Sequence, residues 1–107
     1  MRLLFEVSGV VHAPFQDVRE RLFADAGVSG SHRLVDRDQG VIAYWGNWWY
    51  RGEDTLRAHP EGALLTHRVY NIAKQGNWAP YLANKLFIGY RARLEETLRQ
   101  RITQLER

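Results

Sequence analysis

Between Leu82 and the C-terminus, apolar side chains recur every three or four residues: Leu82, Leu86, Tyr90, Leu94, Leu98, Ile102 and Leu105. This is the inner stripe of one long amphipathic helix. Asn84, Arg91, Glu95 and Arg99 fall on the opposite face, with Glu95 and Arg99 spaced for an i,i+4 ion pair. A helix running from Trp78 or Pro80 to the end would be roughly 40 Å long at 1.5 Å per residue. Alone it would be marginal in water, so its stripe needs an apolar surface to lie against. The chain has 107 residues, room for a single domain spanning 1–107. That surface therefore has to come from the residues before the helix.

Those residues read as strands. In residues 2–12, Leu3, Phe5, Val7, Gly9 and Val11 share one face, and the period of two predicts a half-buried strand. Pro14 ends the pairing and suits a helix start. Phe15, Val18, Leu22 and Ala26 then form the stripe of a short helix, with Asp17 and Glu20 early in it and Gly27 as its C-cap. After a loop over 27–31, strands are predicted over 32–38, 41–46, 48–58 and 63–73. His59-Pro60-Glu61-Gly62 is the clearest hairpin signal. Strands in hairpins flanked by segregated helices predict an α+β fold: one antiparallel sheet of five or six strands under the long C-terminal helix.

Composition narrows the function classes. Hydrophobic residues make up 45% and charged residues 25%, the balance of a globular protein rather than a disordered one. There is no cysteine, hence no disulfide, thiol nucleophile or thiolate metal site. No apolar run reaches the length of a membrane span. Met1-Arg2-Leu3-Leu4-Phe5-Glu6 meets an acid too early for a secretory signal, so the expected compartment is the cytoplasm. The net charge of +3 comes wholly from residue 80 onward, where Arg91, Arg93, Arg99 and Arg101 alternate with Glu95 and Glu96. Interleaved acids favour a solvated helix face over a nucleic-acid interface.

The order of elements resembles the START-like or SRPBCC superfamily, the helix-grip fold of polyketide cyclases and lipid-transfer domains. The resemblance rests on Val11-His12-Ala13-Pro14-Phe15-Gln16-Asp17-Val18 at the first strand-to-helix junction, on the hairpin from His59 to Val69, and on the C-terminal helix. It covers most of the chain, although many relatives are longer, with a second short helix for which residues 27–31 leave no room. It implies a cavity between sheet and helix for a hydrophobic small molecule. It places Leu65, His67, Val69 and Asn71 on the inner face of the last strand. Val7, Trp45, Trp48, His67, Val69, Asn71, Leu86 and Tyr90 are then the expected ligand-binding residues.

Direct motifs for chemistry are few. His12, His32, His59 and His67 show no i,i+3 or i,i+4 pair, and there is no HExxH, so no metal or other cofactor is expected. No serine lies in a G-x-S-x-G elbow. His67 is the candidate proton carrier of a cyclase- or dehydratase-like enzyme. The structural alternative is a buried imidazole hydrogen-bonded to Asn71 or to a backbone carbonyl. In Tyr44-Trp45-Gly46-Asn47-Trp48-Trp49-Tyr50, adjacent residues of a strand point to opposite faces. One set can line a cavity, and the other fits an outer surface or a homodimer contact. Ligand binding, catalysis through His67 and a non-catalytic interaction module are the three functional readings. Gly89, inside the predicted helix, would let it approach the sheet closely.

Overall fold

In a computed structural model of the chain, residues 2–46, 50–72 and 89–107 are described. The order is β1 (Arg2–Val11), α1 (Phe15–Ala26), β2 (Arg33–Asp36), β3 (Val41–Trp45), β4 (Tyr50–His59), β5 (Gly62–Asn71) and α2 (Tyr90–Glu106). The strands form one open antiparallel five-stranded sheet in the order β1-β5-β4-β3-β2, so the first and last strands are neighbours. The architecture is α+β and compatible with a helix grip. Among the described residues no helix is long and apolar enough to cross a membrane.

One sheet face is apolar and carries both helices. Val7 and Val11 of β1, Ala63, Leu65 and Val69 of β5, Leu56 of β4 and Ile42 of β3 are buried there. Val18, Leu22, Phe23 and Ala26 of α1 pack onto that face, as do Leu98 and Leu105 of α2. Removing apolar surface from water on this scale is what holds sheet and helices together. Phe15, Leu94 and Ile102 are partly buried at the margin of the same core. Leu82 and Leu86, the first members of the C-terminal stripe, lie outside the described residues.

The C-terminal helix departs from its predicted start. Gly89 has φ 79°, a left-handed conformation that a helix interior does not contain, and α2 begins after it at Tyr90. Among the described residues, a Cβ at Gly89 would meet nothing within 4 Å. Close approach of helix and sheet is seen at Gly9 on β1: a Cβ there would come within 2.5 Å of Ile102 Cδ1 and 3.9 Å of Leu98 Cδ2. The helix lies along β1 in the same direction, with Tyr90 near Phe5 and Glu106 accepting from the His12 backbone N–H at 2.7 Å. Gly9→Val should overpack this seam and lower stability by about 1–3 kcal/mol, measured by urea unfolding. An unchanged unfolding midpoint would mean that the seam tolerates the added volume.

Two further details differ from the periodic reading. The β1–β5 register shifts between Leu3 and Phe5, so Leu3 pairs with Tyr70 while Phe5 pairs with Val69. A one-residue slip moves a side chain to the other face, and Leu3 is accordingly 46% exposed rather than inward. On α2, Glu95 pairs with Arg91 at 3.4 Å, and Arg99 turns instead to Glu96 at 2.8 Å. The predicted hairpin forms as expected, with His59 opposite Gly62. Gly62 has φ 141°, and a Cβ there would come within 2.6 Å of the Ala13 carbonyl oxygen, so the turn is built tightly against the β1–α1 junction.

Candidate functional site

The helix-facing side of the sheet changes character part-way along β4 and β5. Toward the hairpin it is aliphatic. Farther from the hairpin it carries His67, Asp54, Tyr44, Tyr50 and Asn71. The strand register explains the grouping: His67 is directly opposite Asp54 on one side and Val7 on the other, and Asp54 is opposite Ile42. Tyr50 is opposite Asn71, and Tyr44 is opposite Gly52.

Asp54 is 1% exposed and is held by two partners. His67 Nδ1 lies 2.7 Å from its Oδ1, and Arg101 Nη1 of α2 donates to its Oδ2 at 2.8 Å. Burial alone would push the carboxyl up. The His67 hydrogen bond and the Arg101 charge outweigh it, and the group sits below the usual carboxylate range. An ionised Asp54 takes the hydrogen of a neutral His67 on Nδ1, which leaves Nε2 as an acceptor. Among the described residues Nε2 has no hydrogen-bond partner.

Three phenols extend the site. The Tyr44 ring stacks on the His67 ring, centroids 6.4 Å apart and planes 22° apart. The Tyr44 and Tyr50 rings lie 6.2 Å apart, and Tyr50 is near enough to Tyr90, at the start of α2, for their hydroxyls to act on each other. Gly52 makes room for the first two: a Cβ there would fall 2.6 Å from Tyr44 Cε2 and 2.9 Å from the Tyr50 hydroxyl. Burial, reinforced by the Asp54 charge, pushes the Tyr44 hydroxyl far above its ordinary range, and burial also raises Tyr50 and Tyr90. All three are therefore uncharged hydrogen-bonding groups at neutral pH. Among the described residues no group of three or more His, Asp or Glu is arranged to hold a metal.

Comparison of the chain with protein-family models, with curated proteins and with solved structures finds no match in any of the three. The geometry of the site is set by the β4–β5 register and by α2.

It brings together most of the residues expected at a ligand site. Val7, His67, Val69 and Asn71 share the helix-facing side, and Tyr90 reaches it from α2. Val7 also lines a groove of about 560 Å³ between β1 and α2. Trp45 does not join them. It pairs with Arg51, whose guanidinium lies over its ring at 5.5 Å, on the opposite side of the sheet. The alternation that turns Tyr44 inward turns Trp45 outward. Trp48 and Leu86 lie outside the described residues. The partner expected for His67, Asn71 or a backbone carbonyl, is replaced by Asp54. Arg101, expected on a solvated face, is half turned inward to that carboxylate.

Asp54, Arg101, Tyr44 and Tyr50 are the site residues that sequence reasoning missed. For Asp54 a signal existed. A hairpin closed by His59 and Gly62 pairs residues equally distant from the turn, which sets Asp54 against His67.

Proposed function

We propose that this chain is a START-like domain that binds a small apolar molecule against the helix-facing side of its sheet. The imidazole of His67 and the phenols of Tyr44, Tyr50 and Tyr90 orient the ligand. The observation that carries this reading is the polar row itself. Hydrogen-bonding side chains in an aliphatic face are what a ligand site adds to a core, since apolar walls supply affinity and a few placed polar groups supply orientation. Tyr44, Tyr50 and Tyr90 are only partly buried, as is His67.

Titration with 2-naphthol, followed by calorimetry, tests the reading. Saturable binding is expected, weakened at least about tenfold in His67→Gln or Tyr44→Phe, the loss of one well-placed hydrogen bond. No saturable binding, or equal affinity in all three proteins, would overturn it.

A second reading has its own observation, the Asp54–His67 pair with Nε2 unpartnered among the described residues. A carboxylate that fixes the tautomer and orientation of an imidazole is the arrangement of a general base. On this reading the site abstracts or returns a proton in a cyclase- or dehydratase-like reaction. His67→Gln would then abolish turnover while leaving ligand affinity within a few-fold.

A further inference from the structure

We infer that the ligand of this site is uncharged at its polar end, a hydroxyl or carbonyl compound rather than a carboxylate or an amine, and that Asp54 is the residue that imposes the choice. The inference deepens the proposed ligand site and rests on it. The two inward charges that reach the row pair with each other, while Arg2 of β1, opposite Asn71 in register, is exposed to water. From β4 comes one buried carboxylate, Asp54, and from α2 one guanidinium, Arg101; they bond each other at 2.8 Å. The second carboxylate oxygen is taken by His67 from β5. The three tyrosines are neutral. Arg33 of β2, opposite Tyr44 in register, donates to the Ala26 carbonyl at the end of α1. Arg93 lies over the Tyr90 ring at 5.9 Å but is exposed on α2, where water screens an ion pair into a weak one.

A ligand carboxylate entering this row would be desolvated with its natural partner already bound to Asp54. An ammonium would find the Asp54 oxygens occupied by Arg101 and His67. Stripping water from a charge without an opposite charge to receive it is strongly unfavourable. A hydroxyl or carbonyl loses far less water and meets what the row offers, phenol hydroxyls and one imidazole nitrogen. Asp54 thus acts as a mask on Arg101. Without it, a guanidinium beside the row becomes available for a carboxylate, the group its planar fork fits best.

Three probes with one ring system test this: 2-naphthol, 2-naphthoate and 2-naphthylmethylammonium, titrated at about pH 7, where the last two are ionised. The wild-type protein should bind 2-naphthol at least about tenfold more tightly than either ion, a difference of roughly 1.4 kcal/mol. In Asp54→Asn the ratio should move at least about tenfold toward 2-naphthoate, with 2-naphthol affected much less. If Asp54→Asn fails to fold by circular dichroism, the wild-type ratio decides. Equal or tighter binding of 2-naphthoate by the wild type overturns the inference. So does an unchanged ratio in a folded Asp54→Asn. Failure of all three probes to bind overturns the ligand site itself, and with it this inference; that result differs from binding with the wrong preference.

Discussion

Arg101→Met should lower the stability of the protein by about 1–3 kcal/mol at neutral pH, because it takes the cation from the buried Asp54 carboxylate; the loss is smaller than for a fully buried pair since Arg101 is 37% exposed and His67 still bonds Asp54. Methionine keeps much of the packing of the arginine stem, so the loss reports the charge rather than a cavity. The pH dependence makes the claim specific. Asp54 in the folded protein sits below its unfolded value, so the unfolded chain binds the proton more readily. The stability this contributes is complete above the unfolded carboxylate value, near about pH 4, and is lost as pH falls through the lower folded value. In Arg101→Met the folded carboxyl moves up and that contribution shrinks. Urea unfolding at successive pH values should therefore show a full gap between wild type and variant above about pH 5, closing as pH falls toward 3. A gap of the same size at every pH would mean that Arg101 acts only through packing.

The second large effect is expected in α1. Phe23 is 1% exposed, heads the largest fully buried side chains and anchors the helix in the core. Its ring also receives the guanidinium groups of Arg19 and Arg37, each 5.5 Å from the centroid. Arg37 binds the Phe23 carbonyl, and Arg19 binds the Arg37 carbonyl at 2.5 Å, so one ring organises the α1–β2 side of the molecule. Phe23→Ala should cost about 3–5 kcal/mol, from lost burial, the cavity left behind and the lost cation–π contacts. For a chain of this size that lowers the melting temperature by at least about 10 °C. Val28→Ala, at a position 82% exposed, is the control and should leave it unchanged. A loss below about 1 kcal/mol for Phe23→Ala would show that the core collapses around the gap.

Some of this architecture is legible in the sequence because its causes are local. The period of two in β1, the proline and acid that start α1, the Gly27 end and the tight turn at Pro60-Glu61 each depend on residues within a few positions of one another. The α1 stripe held, and Phe23 joins it beside Leu22. Tyr90 to Leu105 form a helix as the stripe implies. Its start was misjudged because apolar spacing is blind to the left-handed φ of Gly89.

The candidate site was legible only where sheet register could be carried over. His67 faces the helices as expected, since alternation along β5 is unbroken from Ala63 to Asn71. Leu3 was misplaced by a register shift that leaves no mark in the hydrophobic pattern. Tyr44 and Trp45 are neighbours of similar character, and only the pairing of β3 with β4 decided which turned inward.

By itself, then, the sequence determined element order, the α+β class and which residues of the last strand share a face, because period, turn chemistry and chain length act over short distances; which face turns inward came from the family resemblance. The tertiary structure alone decided that Arg101, forty-seven residues from Asp54, closes the charge on that face. It also decided that Gly9 admits the helix, and that Gly52 opens the space where two tyrosines meet. Each of these depends on which strand lies beside which, and on how closely a helix approaches them. Those distances are set by packing across the whole fold.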